Sequence, residues 1–156
     1  MEQVYTSANT SVNSSRLPKI YNLAKEKIEG KSVLDYGCGK YFDNYIDKVN
    51  ADLYGYDKYN RHDETTLERN YDVVVCSNVL NVISVLDERL RILREMKRLA
   101  PTVLITVYEG DRSRIGKETK KDCYQLNRYA ADYIGELMQV FGSDNVTWHN
   151  GYYECV

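Results

Sequence analysis

Apolar residues recur along the chain with two different periods, and the changes of period mark out the elements. Leu17, Tyr21, Ala24 and Ile28 stand at helical spacing. That predicts an amphipathic helix with Pro18 in its first turn, Ser14 or Ser15 as its cap and Gly30 as its stop. From Lys31 the period shortens. Residues 32–36 (Ser-Val-Leu-Asp-Tyr) predict a strand running straight into Gly37-Cys38-Gly39, with a helix over 41–49 to follow. Residues 51–57 form a second strand ending in Asp57, whereas 58–70 are polar and carry no period. The run from Tyr71 to Cys76 is β-branched and apolar, as suits a strand buried on both faces. Leu86, Leu90, Leu93 and Met96 then make one helical stripe that ends near Pro101, and 102–108 is another buried strand. Residues 109–128 show no pattern and exceed an ordinary connection, which points to a functional loop. Residues 129–141 read as a helix with Tyr133 and Leu137 inward. The segments 146–148 and 152–156 flank Asn150-Gly151, a hairpin dipeptide.

Alternating strand and helix predict an α/β fold: a mostly parallel sheet with helices on both faces and a C-terminal antiparallel hairpin. One domain over 1–156 is expected, with 1–15 as a polar arm. Composition narrows the picture. The 156 residues are 28% charged with a net charge of −2, which excludes a disordered acidic chain and a globally basic nucleic-acid binder. The longest uncharged stretch, 73–86, is too short and too polar to span a bilayer, so no membrane association is expected. Residues 1–15 lack the apolar core of a signal peptide. Cys38, Cys76, Cys123 and Cys155 lie far apart without a C-x-x-C pair. Free thiols in a cytoplasmic protein, and no metal site, are therefore expected.

In such sheets ligands bind beyond the carboxyl ends of the strands. The first strand ends in Asp35-Tyr36-Gly37-Cys38-Gly39 and the second in Asp57. Glycines let the backbone approach a ligand closely, and a strand-end carboxylate matches a ribose diol. A dinucleotide fingerprint would place a third glycine where Phe42 stands, so NAD or FAD is disfavoured. A ligand with an ammonium and a ribose but no pyrophosphate fits better; S-adenosyl-L-methionine is one.

Residues 33–39, Asp57 and 71–82 resemble the class I S-adenosylmethionine-dependent methyltransferases, and the element order follows that family over roughly 30–156. The resemblance implies a Rossmann-like fold in which Asp35, Gly37, Cys38 and Gly39 line the methionine part. It further implies that Asp57 binds the ribose and that Asn78 lies beside the methionine moiety and the transfer site. Tyr41 stands where the family usually has a glycine; it and Lys58 border the same turn and acid. Arg16, or alternatively Lys40, would reach the cofactor's carboxylate. The stretch between Asp57 and Tyr71 is too short for the usual strand and helix, so one edge of the sheet is expected to be cut back. Asp63 and Glu64 are candidates for the adenine only by position. Residues 77–82 and 119–125 are similar to a methyltransferase group found near DNA-modification genes in bacteria and phage.

Methyl transfer from a sulfonium needs alignment more than acid–base catalysis, so no general base is named. Asn78 and Asn81 would either orient an acceptor or cap the next element. Tyr108 and Glu109 end a strand at the cleft. The following loop sets Arg112, Arg114, Lys117, Lys120, Lys121 and Arg128 against Asp111, Glu118 and Asp122. That excess forms either a solvated loop or a patch for an anionic acceptor such as a nucleotide, a nucleic acid or a carboxylate metabolite. Tyr124 and Gln125 would stack on or hydrogen-bond an exposed base. The alternative on the same fold is a non-catalytic protein that binds S-adenosylmethionine.

Overall fold

The computed structural model describes residues 16–120 and 123–156, so the arm at 1–15 and Lys121 lie outside the described residues. Four strands, β1 (Ser32–Tyr36), β2 (Asp52–Tyr56), β3 (Val73–Ser77) and β4 (Thr102–Thr106), pair in parallel. A polar hairpin of β5 (Lys117–Lys120) and β6 (Cys123–Gln125) stands apart. The chain then returns to the sheet through β7 (Val146–Trp148) and β8 (Tyr153–Cys155), with β8 antiparallel to β4. The six-stranded sheet has the order β2-β1-β3-β4-β8-β7.

Alternation along the strands divides the core. Val33, Val75 and Leu104 face α1 (Ile20–Leu23), α2 (Lys25–Ile28) and α3 (Phe42–Tyr45). Leu34, Val74, Cys76 and Ile105 face α4 (Leu86–Leu99) and α5 (Ile134–Phe141). Both faces of the central strands are therefore covered, as their apolar runs require.

Several helices are shorter than the periodicity predicts. The expected first helix breaks at Ala24, whose backbone (φ −114°, ψ 29°) leaves the helical region. The helix expected over 41–49 is one α-turn followed by a 3-10 turn at Ile46–Lys48, and the one over 129–141 opens with a 3-10 turn at Ala130–Tyr133. The β5–β6 hairpin inside 109–128 has no apolar alternation to announce it.

The edge beside β2 is cut back, as expected. Residues 58–70 hold a 3-10 helix (Glu64–Glu68) and no strand. Tyrosines cover the sheet there: Tyr36 packs on Tyr56 (ring centroids 5.5 Å apart) and Tyr54 on Tyr71 (5.6 Å). Arg69 lies 4.4 Å over the Tyr54 ring. The rings seal a thin edge that a helix would otherwise bury, and their hydroxyls find protein partners, Tyr36 on Glu95 and Tyr71 on the Thr66 carbonyl.

Candidate functional site

The β1–α3 turn is built to bring bare backbone to the end of the sheet. Gly37 (φ +81°) and Gly39 (φ +75°) both lie in the left-handed region. The N–H groups of Gly37 and Cys38 donate to the Tyr56 carbonyl at 2.7 and 3.0 Å, tying the turn to the end of β2. Gly55, mid-strand in β2, makes room for it: a Cβ there would meet Cys38 Sγ at 2.9 Å and the Phe42 ring at 3.0 Å. Cys38 is thus a small packing residue whose thiol burial pushes further from ionisation.

Asp57 closes the turn from the other side. Its Oδ2 accepts the Gly39 N–H at 2.9 Å, while Oδ1 accepts from Tyr59 N, Asn60 N and Asn60 Nδ2 at 3.0–3.1 Å. One oxygen is saturated by its own loop, and Oδ2 keeps a lone pair for a ligand.

Asp35 is 1% exposed, yet no cation pairs with it among the described residues. Tyr21 Oη and Tyr45 Oη both donate to its Oδ2, at 2.5 and 2.7 Å, and Tyr45 also reaches the Cys38 carbonyl at 3.2 Å. Burial, with a smaller contribution from the nearby Asp57, raises the carboxyl to about 6 against the lowering by the two phenols. Tyr21 was legible only as part of a helical stripe. Its signal was chemical: a phenol at a buried helix position needs a partner for its hydroxyl.

These groups open on one cleft of about 1800 Å³. Of the residues expected at a cofactor, Arg16, Asp35, Gly37, Cys38, Gly39, Tyr41, Asp57, Lys58 and Asn78 all line it. Lys40 lies on the same wall, 5.3 Å from the Tyr41 ring centre, and Lys58 is 5.9 Å from that of Tyr59. Asn78 takes a positive φ (58°) and its N–H donates to the Thr106 carbonyl at 3.0 Å, which turns the chain away from the sheet. The cleft extends between β2 and α4 past Tyr36, Tyr56, His62, Glu64, Leu67 and Glu95. Of the two acids offered for the adenine by position, Glu64 lines this lobe, whereas Asp63 does not and caps the 3-10 helix instead. The α4 side of the lobe is what sequence reasoning missed. The walls come from the 3-10 helix and from α4, far apart in the chain.

The acceptor side differs more from expectation. Tyr108, Tyr124 and Gln125 line the cleft, but Glu109 and Arg112 do not. Glu109 accepts the Ala130 N–H at 2.7 Å and pairs with Arg112 at 3.0 Å, so both serve the loop. Gln125 has its amide occupied: Oε1 accepts from Asn81 Nδ2 and Nε2 donates to the Tyr108 carbonyl, each at 3.0 Å. Asn81, expected either to orient an acceptor or to cap the next element, is instead buried and pins the hairpin to the end of β4, since its Oδ1 accepts the Tyr108 N–H. Lys120 ends β5. His62 pairs with Glu64 and His149 with Glu154. No cluster of three metal-ligating side chains occurs among the described residues, and no helix among them is long and apolar enough to cross a membrane.

Comparison with solved structures finds the same architecture. The DhpI complex with S-adenosylhomocysteine matches with TM-score 0.54 at 15% identity, over 86% of this chain and 79% of that one. A cyclopropane-fatty-acyl-phospholipid synthase-like protein from Lactobacillus casei matches with TM-score 0.52 at 12% identity, covering 85% and 69%. An S-adenosylmethionine-dependent methyltransferase from Mesorhizobium loti matches with TM-score 0.51 at 14% identity, covering 82% and 81%. No curated protein sequence matches the chain. A family model described as a methyltransferase domain matches residues 12–149, almost the whole of the sheet and its cleft, and the chain belongs to that family.

Proposed function

We propose that this chain binds S-adenosylmethionine in the cleft at the ends of β1, β2 and β3 and transfers its methyl group to an acceptor entering past Tyr108. One observation carries the reading. A buried carboxylate that no cation meets among the described residues (Asp35), a glycine turn and a second strand-end carboxylate (Asp57) border one cleft. That donor set suits an ammonium, a close-lying chain and a ribose in that order along the wall, and the family match and the DhpI complex point the same way. Asp35 would hold the ammonium, the Gly37–Gly39 turn the amino-acid chain, and Asp57 Oδ2 a ribose hydroxyl. Arg16 or Lys40 would meet the carboxylate, and Tyr41 and Lys58 would flank the turn. The cofactor supplies a methyl group already activated on sulfur. The protein's share is to align the acceptor and exclude water.

For the acceptor, the ion pairs weigh against reading the loop as a free basic patch. Arg112, Arg114 and Arg128 are matched by Glu109, Asp132 and Glu136 at 3.0 Å each. Contact with the acceptor then falls to Tyr108, Thr119 and Tyr124 on the cleft wall and to Asn78. For a nucleic-acid acceptor the support that remains is Tyr124 on the cleft wall, since the likeness of 77–82 and 119–125 suggests a context and identifies no substrate. Calorimetry with S-adenosylmethionine, S-adenosylhomocysteine and NAD tests the cofactor: the first two should bind, NAD should not, and Asp57→Ala should abolish binding. A radiolabelled methyl-transfer screen over nucleic-acid, protein and metabolite pools then tests the reaction. Binding without transfer to any pool would favour the non-catalytic alternative.

A further inference from the structure

The Asp35 carboxylate is held in an unusual way. Both tyrosine hydroxyls fall on the same oxygen, Oδ2, and among the described residues Oδ1 receives no hydrogen bond. The two phenols come from different elements, Tyr21 from α1 and Tyr45 from α3, and their rings meet at 6.0 Å. A carboxylate fixed at one oxygen cannot rotate without breaking two hydrogen bonds, so its second oxygen keeps one orientation on the cleft wall. We propose that Tyr21 and Tyr45 are positioning residues for the cofactor's ammonium, acting through Asp35 and keeping it ionised for that contact. The inference rests on the cofactor reading above and deepens it.

The surroundings make the consequence specific. The titratable groups that face Asp35 are Tyr21 on α1, Tyr45 on α3, Cys38 in the turn and Asp57 after β2, while Cys76 on β3 lies on the other face of the sheet. None of these is cationic at neutral pH. Burial therefore favours the protonated acid, and the hydroxyl donors oppose it. An ammonium binds the ionised form, so affinity should be constant above about pH 7 and weaken by about tenfold per unit below pH 6. Tyr21→Phe and Tyr45→Phe each remove a donor to Oδ2. They should shift that break to higher pH, with weaker binding at pH 7 and recovery toward wild type at pH 8.

The experiment is titration calorimetry of S-adenosylhomocysteine from pH 5 to 8 on wild type, Tyr21→Phe and Tyr45→Phe, with adenosine as the probe that lacks the ammonium. Support is a break near pH 6 for S-adenosylhomocysteine alone, moved upward in either variant that still binds adenosine. A wild-type profile that is flat, or variants that lose S-adenosylhomocysteine and adenosine equally at every pH, would overturn it and make the tyrosines structural. No binding of S-adenosylhomocysteine by wild type at pH 8 is a different result, and it would overturn the cofactor reading itself.

Discussion

A methyl group added at Gly37 would sit 2.5 Å from Val79 Cγ2, on a backbone with φ of +81°. Space and conformation both exclude a side chain, so Gly37→Ala should destabilise the fold by about 1–3 kcal/mol in chemical denaturation and lower cofactor affinity with it. Asp57 is constrained by charge instead. Its two oxygens accept four hydrogen bonds, three on Oδ1 and one on Oδ2. In Asp57→Asn the amide must face N–H donors whichever way it is turned. A loss of about 1–2 kcal/mol is expected, with cofactor affinity reduced more than stability, and calorimetry beside urea melts separates the two effects. The acid was visible in the sequence because it ends a strand after a glycine turn. Its saturation by Tyr59 and Asn60 was not, because an Asx-type turn inside a polar stretch leaves no periodic trace.

At the level of elements, α4 and α5 are clipped together by a buried ion pair. Arg89 donates from Nε and Nη2 to Glu136 Oε2 and Oε1 at 3.0 and 2.8 Å, and from Nη1 to the Ile83 carbonyl at 2.8 Å. Arg128 Nη1 adds a third bond to Glu136 at 3.0 Å. Removing one partner leaves charge buried without compensation, so Glu136→Leu should cost about 3–5 kcal/mol, while Arg89→Met with Glu136→Leu should recover most of it. Thermal melts of the single and double variants measure the difference. Burial pushes the Glu136 carboxyl up, but the bonds from Arg89 and Arg128 outweigh it and hold the group below its ordinary value. A depressed folded pKa stabilises above the unfolded value and loses that stability as pH falls through the folded one, so the clip should fail only in acid. The helix carrying Arg89 was legible from Leu90, Leu93 and Met96, yet its partner stands 47 residues away and no local pattern joins them. The β5–β6 hairpin escaped for a related reason. It is held by Asn81 and Gln125 across the cleft rather than by an apolar face of its own.

For the molecule as a whole, the site is placed where the fold is least self-sufficient. The sheet stops at β2, tyrosines seal the edge, and the strand ends of β1, β2 and β3 share one open cleft with a buried acid in its wall. Asp35 rises from 3.8 to about 6 because burial disfavours its charge more than Tyr21 and Tyr45 favour it. A folded pKa above the unfolded one means that folding takes up a proton in this window. Stability from this group is present below about pH 4 and is lost as pH rises through about 6. The ionised acid then opposes folding by roughly 3 kcal/mol near neutrality, a burden that a bound ammonium relieves. Asp35→Asn keeps an oxygen for both phenols and removes the charge. Measured by circular dichroism melts at pH 4.5 and 7.5, the variant should exceed wild type in stability by only about 1 kcal/mol at the lower pH, where the unfolded carboxyl is already mostly ionised. At the higher it should melt several degrees above it, since each kcal/mol moves a domain of this size by about 2–4 °C. It should also bind S-adenosylhomocysteine more weakly at pH 7.5 than the wild type does. A variant that melts lower than wild type at pH 7.5 would mean that the ionised acid, clasped by its two tyrosines, holds the fold together instead of straining it.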